Sequence, residues 1–311
     1  MTDTNSTSAS QLSDALAAAV ETAGHQVVSV SARKRGPASG VIWRTGTVVT
    51  ADHVIDREED IKVQSQDGAT VSATLVGRDP TTDLAVLSAP SLAADEGIAS
   101  AGYTAKVGQL VVAVARPGET GLSASFGALS AVGPEWRTWG GGRVDQLLRP
   151  DLTFYPGFSG GAIVDMRGQI FGLATSGLSR HMNLAIPVST VNRVLEQLLE
   201  SGRIARGYLG VRLQTVAVSD SLRGQLKLDN GKGLLVVGLE SEGPAEKAGI
   251  LVGDILIAIE NKLVWESDAV QAILDGESIG KSVNLRLIRG GQELHVPATV
   301  GERPARKHGH G

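Results

Sequence analysis

The chain has 311 residues, 42% of them apolar, and a formal net charge of −4 with acids and bases interspersed. That length leaves room for two or three domains with ordinary cores, and the charge pattern excludes the basic stripe of a nucleic-acid binder. The absence of cysteine excludes disulfides, thiolate metal sites and a cysteine nucleophile, while 39 glycines against 4% aromatics favour a turn-rich β protein.

Residues 1–10 are rich in Ser, Thr and Asn and are expected to be disordered. Leu12, Leu16 and Val20 then predict a short amphipathic helix over 11–23. The small apolar run at 15–20 is preceded by Asp3 and Asp14, is followed by Glu21, and has no Lys or Arg before Arg33. A secretory signal needs a positive n-region, and a membrane helix needs an apolar run of roughly 18 residues. A cytoplasmic protein is the resulting expectation, with a periplasmic or secreted one only if a signal is missing from this sequence.

Short β-branched runs at 27–30, 40–43, 47–50, 61–63, 73–76 and 84–87 are separated by turn residues. They predict one small antiparallel barrel. A second series at 109–115, 123–131, 143–148, 162–165, 169–174 and 182–186 predicts another of similar size. The clearest helix follows Pro187, with Ser189 as N-cap, a stripe of Val191, Val194, Leu195, Leu198 and Leu199, and Gly202 as the stop. From Arg206 to Gly301 the pattern predicts strands near 234–239, 255–259, 283–288 and 293–299, and helices at 244–248 and 267–274. Gly290-Gly291 reads as a hairpin turn. The chain therefore divides into a segment 1–10, a domain 11–203, a second domain 206–301 and a flexible tail 302–311.

Three residues carry chemistry. Ser159 stands in Gly157-Phe158-Ser159-Gly160-Gly161, a loop with little side chain, where a substrate carbonyl can approach the backbone. The Gly157 and Ser159 N–H groups are candidates for an oxyanion hole. A serine hydroxyl needs a base, and imidazole, with an unperturbed pKa of ~6.5, can accept and return a proton near neutrality. His53 in Thr50-Ala51-Asp52-His53-Val54 supplies it, and Asp83 in Thr82-Asp83-Leu84-Ala85-Val86-Leu87 supplies the carboxylate that orients the ring. Each residue alone has a structural reading; their joint occurrence in the order His, Asp, Ser favours a nucleophilic triad. His25, His295, His308 and His310 lie in contexts that compete poorly with His53. Gly157-x-Ser159-x-Gly161 also fits the nucleophile elbow of α/β-hydrolases, but a turn and a strand follow Ser159 where that fold needs a helix.

At these motifs the chain resembles the HtrA/Deg family, trypsin-like serine proteases followed by a PDZ domain. Ala185-Ile186-Pro187-Val188, Arg206-Gly207-Tyr208-Leu209-Gly210-Val211 and Pro244-Ala245-Glu246-Lys247-Ala248-Gly249-Ile250 extend the resemblance over roughly residues 20–300. It implies a mainly β fold: a chymotrypsin/trypsin-like double β-barrel, then a small α+β PDZ domain. It implies an ATP-independent endopeptidase that cleaves unfolded or damaged proteins without cofactor or metal, and it implies a homotrimer. It assigns Tyr208, Leu209, Gly210 and Val211 to a loop that captures peptide C-termini, with Val270, Ile273 and Leu274 lining the side-chain pocket, although these three also read as core.

The chain departs from the family at Phe158, usually Asn, at Ala162, usually Pro, and at Asp52, usually small or an amide. Phe158 raises the prospect of an inactive loop, so the alternative is a weak or inactive protease-fold scaffold or chaperone that binds peptides. Cleavage preference rests on loops around Thr153 and 173–175.

Overall fold

The computed structural model describes residues 4–94, 99, 102–179, 182–226, 231–274 and 276–303. His308 and His310, with most of the expected tail, lie outside these residues. Two compact units divide the chain after Ile204.

The first unit contains α1 (Thr4–Gly24), two closed barrels and a closing helix. The first barrel is built from β1 (Val27–Ser31), β2 (Ala38–Arg44), β3 (Thr47–Thr50), β4 (Ile61–Gln64), β5 (Thr70–Asp79) and β6 (Leu84–Ser88), in the order β1-β2-β3-β6-β5-β4. The second uses β7 (Leu110–Ala115) and β8 (Ser123–Gly133), and, after a small hairpin of β9 (Trp136–Arg137) and β10 (Arg143–Val144), β11 (Leu147–Asp151), β12 (Ala162–Val164), β13 (Ile170–Thr175) and β14 (Leu184–Pro187). It closes as β11-β14-β13-β12-β7-β8, and α2 (Val188–Ser201) ends the unit.

Why the strands read as continuous apolar runs is explained by their two buried faces. Successive side chains on a strand point to opposite sides. Val28, Ile42, Val48, Ala85 and Leu87 fill the first barrel, while their neighbours Val27, Val41, Val49, Leu84 and Val86 enter a second cluster. That cluster also takes Val112, Val114, Val164, Leu173 and Ile186 from the second barrel, so it is the layer joining the two. Val111, Ala113, Ile163, Ala174 and Ala185 face the second barrel's own interior. The residues between the barrels are thus as dry as those within them.

Helix α2 seals this joint with Val188, Val191, Val194, Leu195 and Leu198. Each such side chain contributes about 1.5–3 kcal/mol when fully buried. Ser189 is not its N-cap: β14 pairs as far as Pro187, and the helix starts at Val188 with Pro187 in the cap position. Leu199 is exposed, because it stands one residue beyond the contact stripe, and Gly202 ends the helix in the left-handed region, φ 70°.

Helix α1 packs Leu16, Val20 and Ala23 against the same joint and buries Ala19, while Leu12 stays exposed. It begins at Thr4, so residues 4–10 of the segment expected to be disordered are helical. A helix already nucleated by packed residues adds turns at little cost, even where they are Ser- and Thr-rich.

The second unit holds a sheet ordered β16 (Val211–Ala217), β17 (Lys232–Leu239), β18 (Ile255–Ile259), β20 (Ser282–Arg289), β21 (Gln292–Thr299), with β19 (Lys262–Leu263) attached to β18. A separate pair joins β15 (Gly207–Tyr208) to β22 (Gly301–Glu302), so ordered pairing runs one residue into the expected tail. Helices α3 (Asp220–Leu226), α4 (Pro244–Lys247) and α5 (Ser267–Ile273) complete it. Gly290 and Gly291, φ 57° and 80°, form the hairpin turn between β20 and β21.

Candidate active site

His53 lies in a 3-10 turn, Asp52–Val54, directly after β3, and Asp83 immediately precedes β6. Because β3 and β6 are hydrogen-bonded neighbours, with Thr50 opposite Ala85, their ends deliver the two side chains to one place. His53 Nδ1 is 2.9 and 2.8 Å from the two Asp83 carboxylate oxygens. The His53 backbone N–H also donates to Asp83 Oδ1 at 2.9 Å, and the Asp52 N–H to the Asp83 carbonyl at 3.2 Å. Asp83 has φ 57°, a left-handed conformation costly for a non-glycine residue. A carboxylate on Nδ1 selects the tautomer that leaves Nε2 free to accept a proton.

The second barrel supplies the rest. Thr175, at the end of β13, donates its hydroxyl to Asp83 Oδ2 and in turn accepts the Gly177 N–H at 2.9 Å. A Cβ at Gly177 would lie 2.6 Å from both Asp83 Oδ2 and His53 Nδ1, so only glycine fits against the His–Asp pair. Ser159 sits in the loop between β11 and β12, with its hydroxyl 3.0 Å from that of Ser176. No hydrogen bond from Ser159 to His53 is found among the described residues.

The loop around Ser159 is tied peptide by peptide. The Phe158 N–H donates to Tyr155 O at 3.0 Å, and Gly157 O accepts the Ser39 hydroxyl at 2.8 Å. Phe158 O accepts the Gly161 N–H at 2.9 Å, while Ser159 O accepts the Ser39 N–H at 3.2 Å and the Gly160 N–H donates to Ala174 O at 2.9 Å. The Gly157 and Ser159 N–H groups donate to no acceptor among the described residues. Gly157, φ 90°, would place a Cβ 2.4 Å from Pro117 Cβ, so the position admits no side chain. Phe158 points away from the loop's open side: it is 1% exposed in the second barrel's core, edge-on to Tyr155.

Asp52 neighbours the site but points to Arg78 on β5. Arg78 Nε binds the Asp52 carboxylate, its Nη2 donates to Asp52 O at 3.2 Å, and its Nη1 reaches Glu58 at 3.4 Å. Burial pushes the Asp52 carboxyl above its ordinary value; Arg78 opposes this, and the charges of Asp83 and Asp79 add to it.

In the second unit, Tyr208, Leu209, Gly210 and Val211 link β15 to β16. Gly210 has φ 76°, and its carbonyl accepts the Glu240 N–H at 2.8 Å while Leu209 O accepts the Ala245 N–H at 2.8 Å. The Leu209 and Gly210 N–H groups donate to no acceptor among the described residues. β16 is an edge strand, paired on one side only by β17, and α5 packs beside it. Val270 and Leu274 are buried in this unit's core and Leu209 is buried with them; Ile273 is half-buried.

Residues 38–173 match the trypsin-like peptidase domain family and residues 207–300 the PDZ domain family. Over 292 residues the chain is 30% identical to a probable periplasmic serine endoprotease DegP-like of Halomonas elongata, covering 90% of this chain and 60% of that protein. The chain belongs to the HtrA/Deg family. The serine endoprotease DegS of Haemophilus influenzae is 29% identical over 86% of this chain and 77% of its own length. The serine endoprotease structure from Yersinia pestis superimposes with a TM-score of 0.74 at 30% identity, covering 93% of this chain and 98% of that one. The HtrA-type protease AlgW with a tripeptide gives 0.73 at 31% identity, covering 94% and 98%. The chain spans 60% of the Halomonas relative and 52% of the DegP-like protein of Brucella suis.

Membership of the HtrA/Deg family overturns the cytoplasmic expectation, because the relatives are named periplasmic endoproteases. The run at 15–20 is part of α1, where its spacing serves packing on the barrels. Its poor match to a leader therefore carries no information about compartment.

Sequence reasoning missed Thr175, Ser176, Gly177, Ser39 and Arg78 at this HtrA-type site. Thr175 was noticed only as part of a specificity loop, and a polar residue at the end of an apolar strand was the available signal. Nothing local marked Gly177, whose constraint comes from two residues far away in sequence.

Proposed function

We propose that the chain is an ATP-independent serine endopeptidase acting on unfolded or damaged proteins, with its PDZ domain binding peptide C-termini. The observation that carries this reading is the Asp83 carboxylate on His53 Nδ1, 2.8 Å away, beside a serine loop with two undonated N–H groups.

In this mechanism the Ser159 hydroxyl turns from Ser176 to His53, which takes its proton as Oγ attacks the scissile carbonyl. Asp83 stabilises the resulting imidazolium, and the Gly157 and Ser159 N–H groups receive the oxyanion. The tetrahedral intermediate collapses as His53 returns the proton to the leaving amine. Water, deprotonated by His53, then releases the acyl group. Phe158, buried in the barrel, leaves this side of the loop clear, which argues against the inactive scaffold.

At the PDZ domain, the Leu209 and Gly210 N–H groups receive a terminal carboxylate, Tyr208 and Val211 flank it, and the peptide adds as a strand to β16. Ile273 faces the incoming side chain, with Val270 and Leu274 forming the floor. A homotrimer is supported by exposed Leu12, Leu122 and Phe126 on α1 and the region of β8. The relatives' names point to periplasmic action.

Degradation of unfolded casein and labelling of Ser159 by a fluorophosphonate test the activity. Ser159→Ala is expected to lower turnover by roughly three to six orders of magnitude. Casein degradation by that variant at the wild-type rate rejects the mechanism, and failure of the wild type to label favours the scaffold.

A further inference from the structure

Ser39 is fully buried at the start of β2, on the first barrel, yet its hydroxyl and its N–H donate to the serine loop of the second. Its hydroxyl is 2.8 Å from Gly157 O and 2.8 Å from the Arg116 N–H, and its own N–H donates to Ser159 O at 3.2 Å. A hydroxyl has one proton. The Gly157 carbonyl can only accept and the Arg116 N–H can only donate, so that proton goes to Gly157 O. The direction of the bond is therefore set by the protein.

We propose that Ser39 is a positioning residue for the oxyanion hole: by holding the Gly157 and Ser159 carbonyls it fixes the 157–158 and 159–160 peptides and, through the residues they share, the adjoining peptides that carry the Gly157 and Ser159 N–H groups. This rests on the protease reading above.

The supports of Ser39 are themselves fixed. Thr50 donates to Ser39 O at 2.6 Å from the adjacent strand. Arg116, 7% exposed at the end of β7, anchors its guanidinium on the Val27 carbonyl at 2.8 Å and the Gly24 carbonyl at 3.2 Å. Its backbone N–H is thereby held against Ser39. The barrels approach so closely here that a Cβ on Gly160, φ 86°, would lie 2.1 Å from Ser39 O. In this buried site, loss of the hydroxyl removes the protein partner of both the Gly157 carbonyl and the Arg116 N–H. A carbonyl so stranded gains by turning, and turning it disturbs the peptides on either side of Phe158.

Ser39 touches no reacting atom, so its effect should fall on the chemical step. The test compares full-length wild type with Ser39→Ala and Ser39→Thr on a fluorogenic peptide, with rates normalised by active-site titration. Loss of one direct oxyanion donor costs about 10²–10³ in kcat. An indirect support is expected to cost about 10–100-fold, with KM within about twofold, the acid limb of the pH profile unmoved, and partial rescue in Ser39→Thr. Hydrogen exchange of residues 152–161 is followed in the same proteins, and faster exchange in Ser39→Ala is expected. Should Ser39→Ala fail to fold, Ser39→Cys is measured, with the same direction expected because a thiol is a weak donor. An unchanged kcat with unchanged exchange overturns the proposal. If the wild type neither cleaves nor labels, the protease reading falls alone, and the exchange comparison still decides whether Ser39 holds the loop.

Discussion

The Ser159 hydroxyl rests 3.0 Å from the Ser176 hydroxyl and is not hydrogen-bonded to His53. In the proposed mechanism, attack requires that bond to break. A hydrogen bond of this kind is worth about 0.5–1.5 kcal/mol net, so its removal is expected to raise the acylation rate up to about tenfold. Ser176→Ala should label faster with a fluorophosphonate than wild type. Slower labelling would mean that Ser176 assists the nucleophile.

Gly177 lies against the His53–Asp83 pair, where a Cβ would meet both partners at 2.6 Å. Gly177→Ala must push the imidazole or the carboxylate aside. A displacement of about 1 Å at a reacting group can cost 10²-fold, so kcat is expected to fall by about that factor while thermal stability changes little. Wild-type turnover in this variant would show that the contact relaxes without moving His53.

Phe158 is an anchor in the second barrel. Truncation of a buried Phe costs about 3–5 kcal/mol, and Phe158→Ala should lose that much stability in denaturant unfolding followed by intrinsic fluorescence. The same variant should lose activity through a loosened serine loop. A stability loss well under 1 kcal/mol would contradict the packing described.

Arg78 compensates Asp52, whose carboxyl burial already holds above its ordinary value. Removing the arginine in Arg78→Met leaves Asp52 beside Asp79 and Asp83 and raises its pKa further. An acid whose folded value exceeds its unfolded value binds more protons when folded, so stability falls as pH rises through that window. The difference in Tm between wild type and Arg78→Met is therefore expected to widen from acid toward neutral pH. A constant difference would mean that Asp52 is not what Arg78 compensates.

The positions of the strands, and of the histidine, aspartate and serine proposed as a triad, are legible because they depend on local pattern. The doubly buried runs at 27–30 and 84–87, and the polar residues that end the neighbouring strands, are visible in one dimension. Helix starts were less legible. Ser189 has the chemistry of an N-cap, but strand pairing up to Pro187 determined where α2 begins. Disorder over 1–10 was read from composition, whereas the packed half of α1 carries helix back to Thr4. The short strands β15 and β22 had no pattern of their own and exist because they pair with each other.

By itself, the sequence marked the residues proposed here to do chemistry: one histidine, one aspartate and one serine, each beside a strand, in an order that suits a double barrel. Local residue type and period-two alternation suffice for that, since both act within a few residues. Tertiary structure decided what surrounds them. Ser39, Thr175 and Gly177 meet the site across separations of 118, 92 and more than 90 residues, through single hydrogen bonds or bare van der Waals contact. Such contacts are set by the closure of two barrels on one dry joint, which no short stretch of chain encodes.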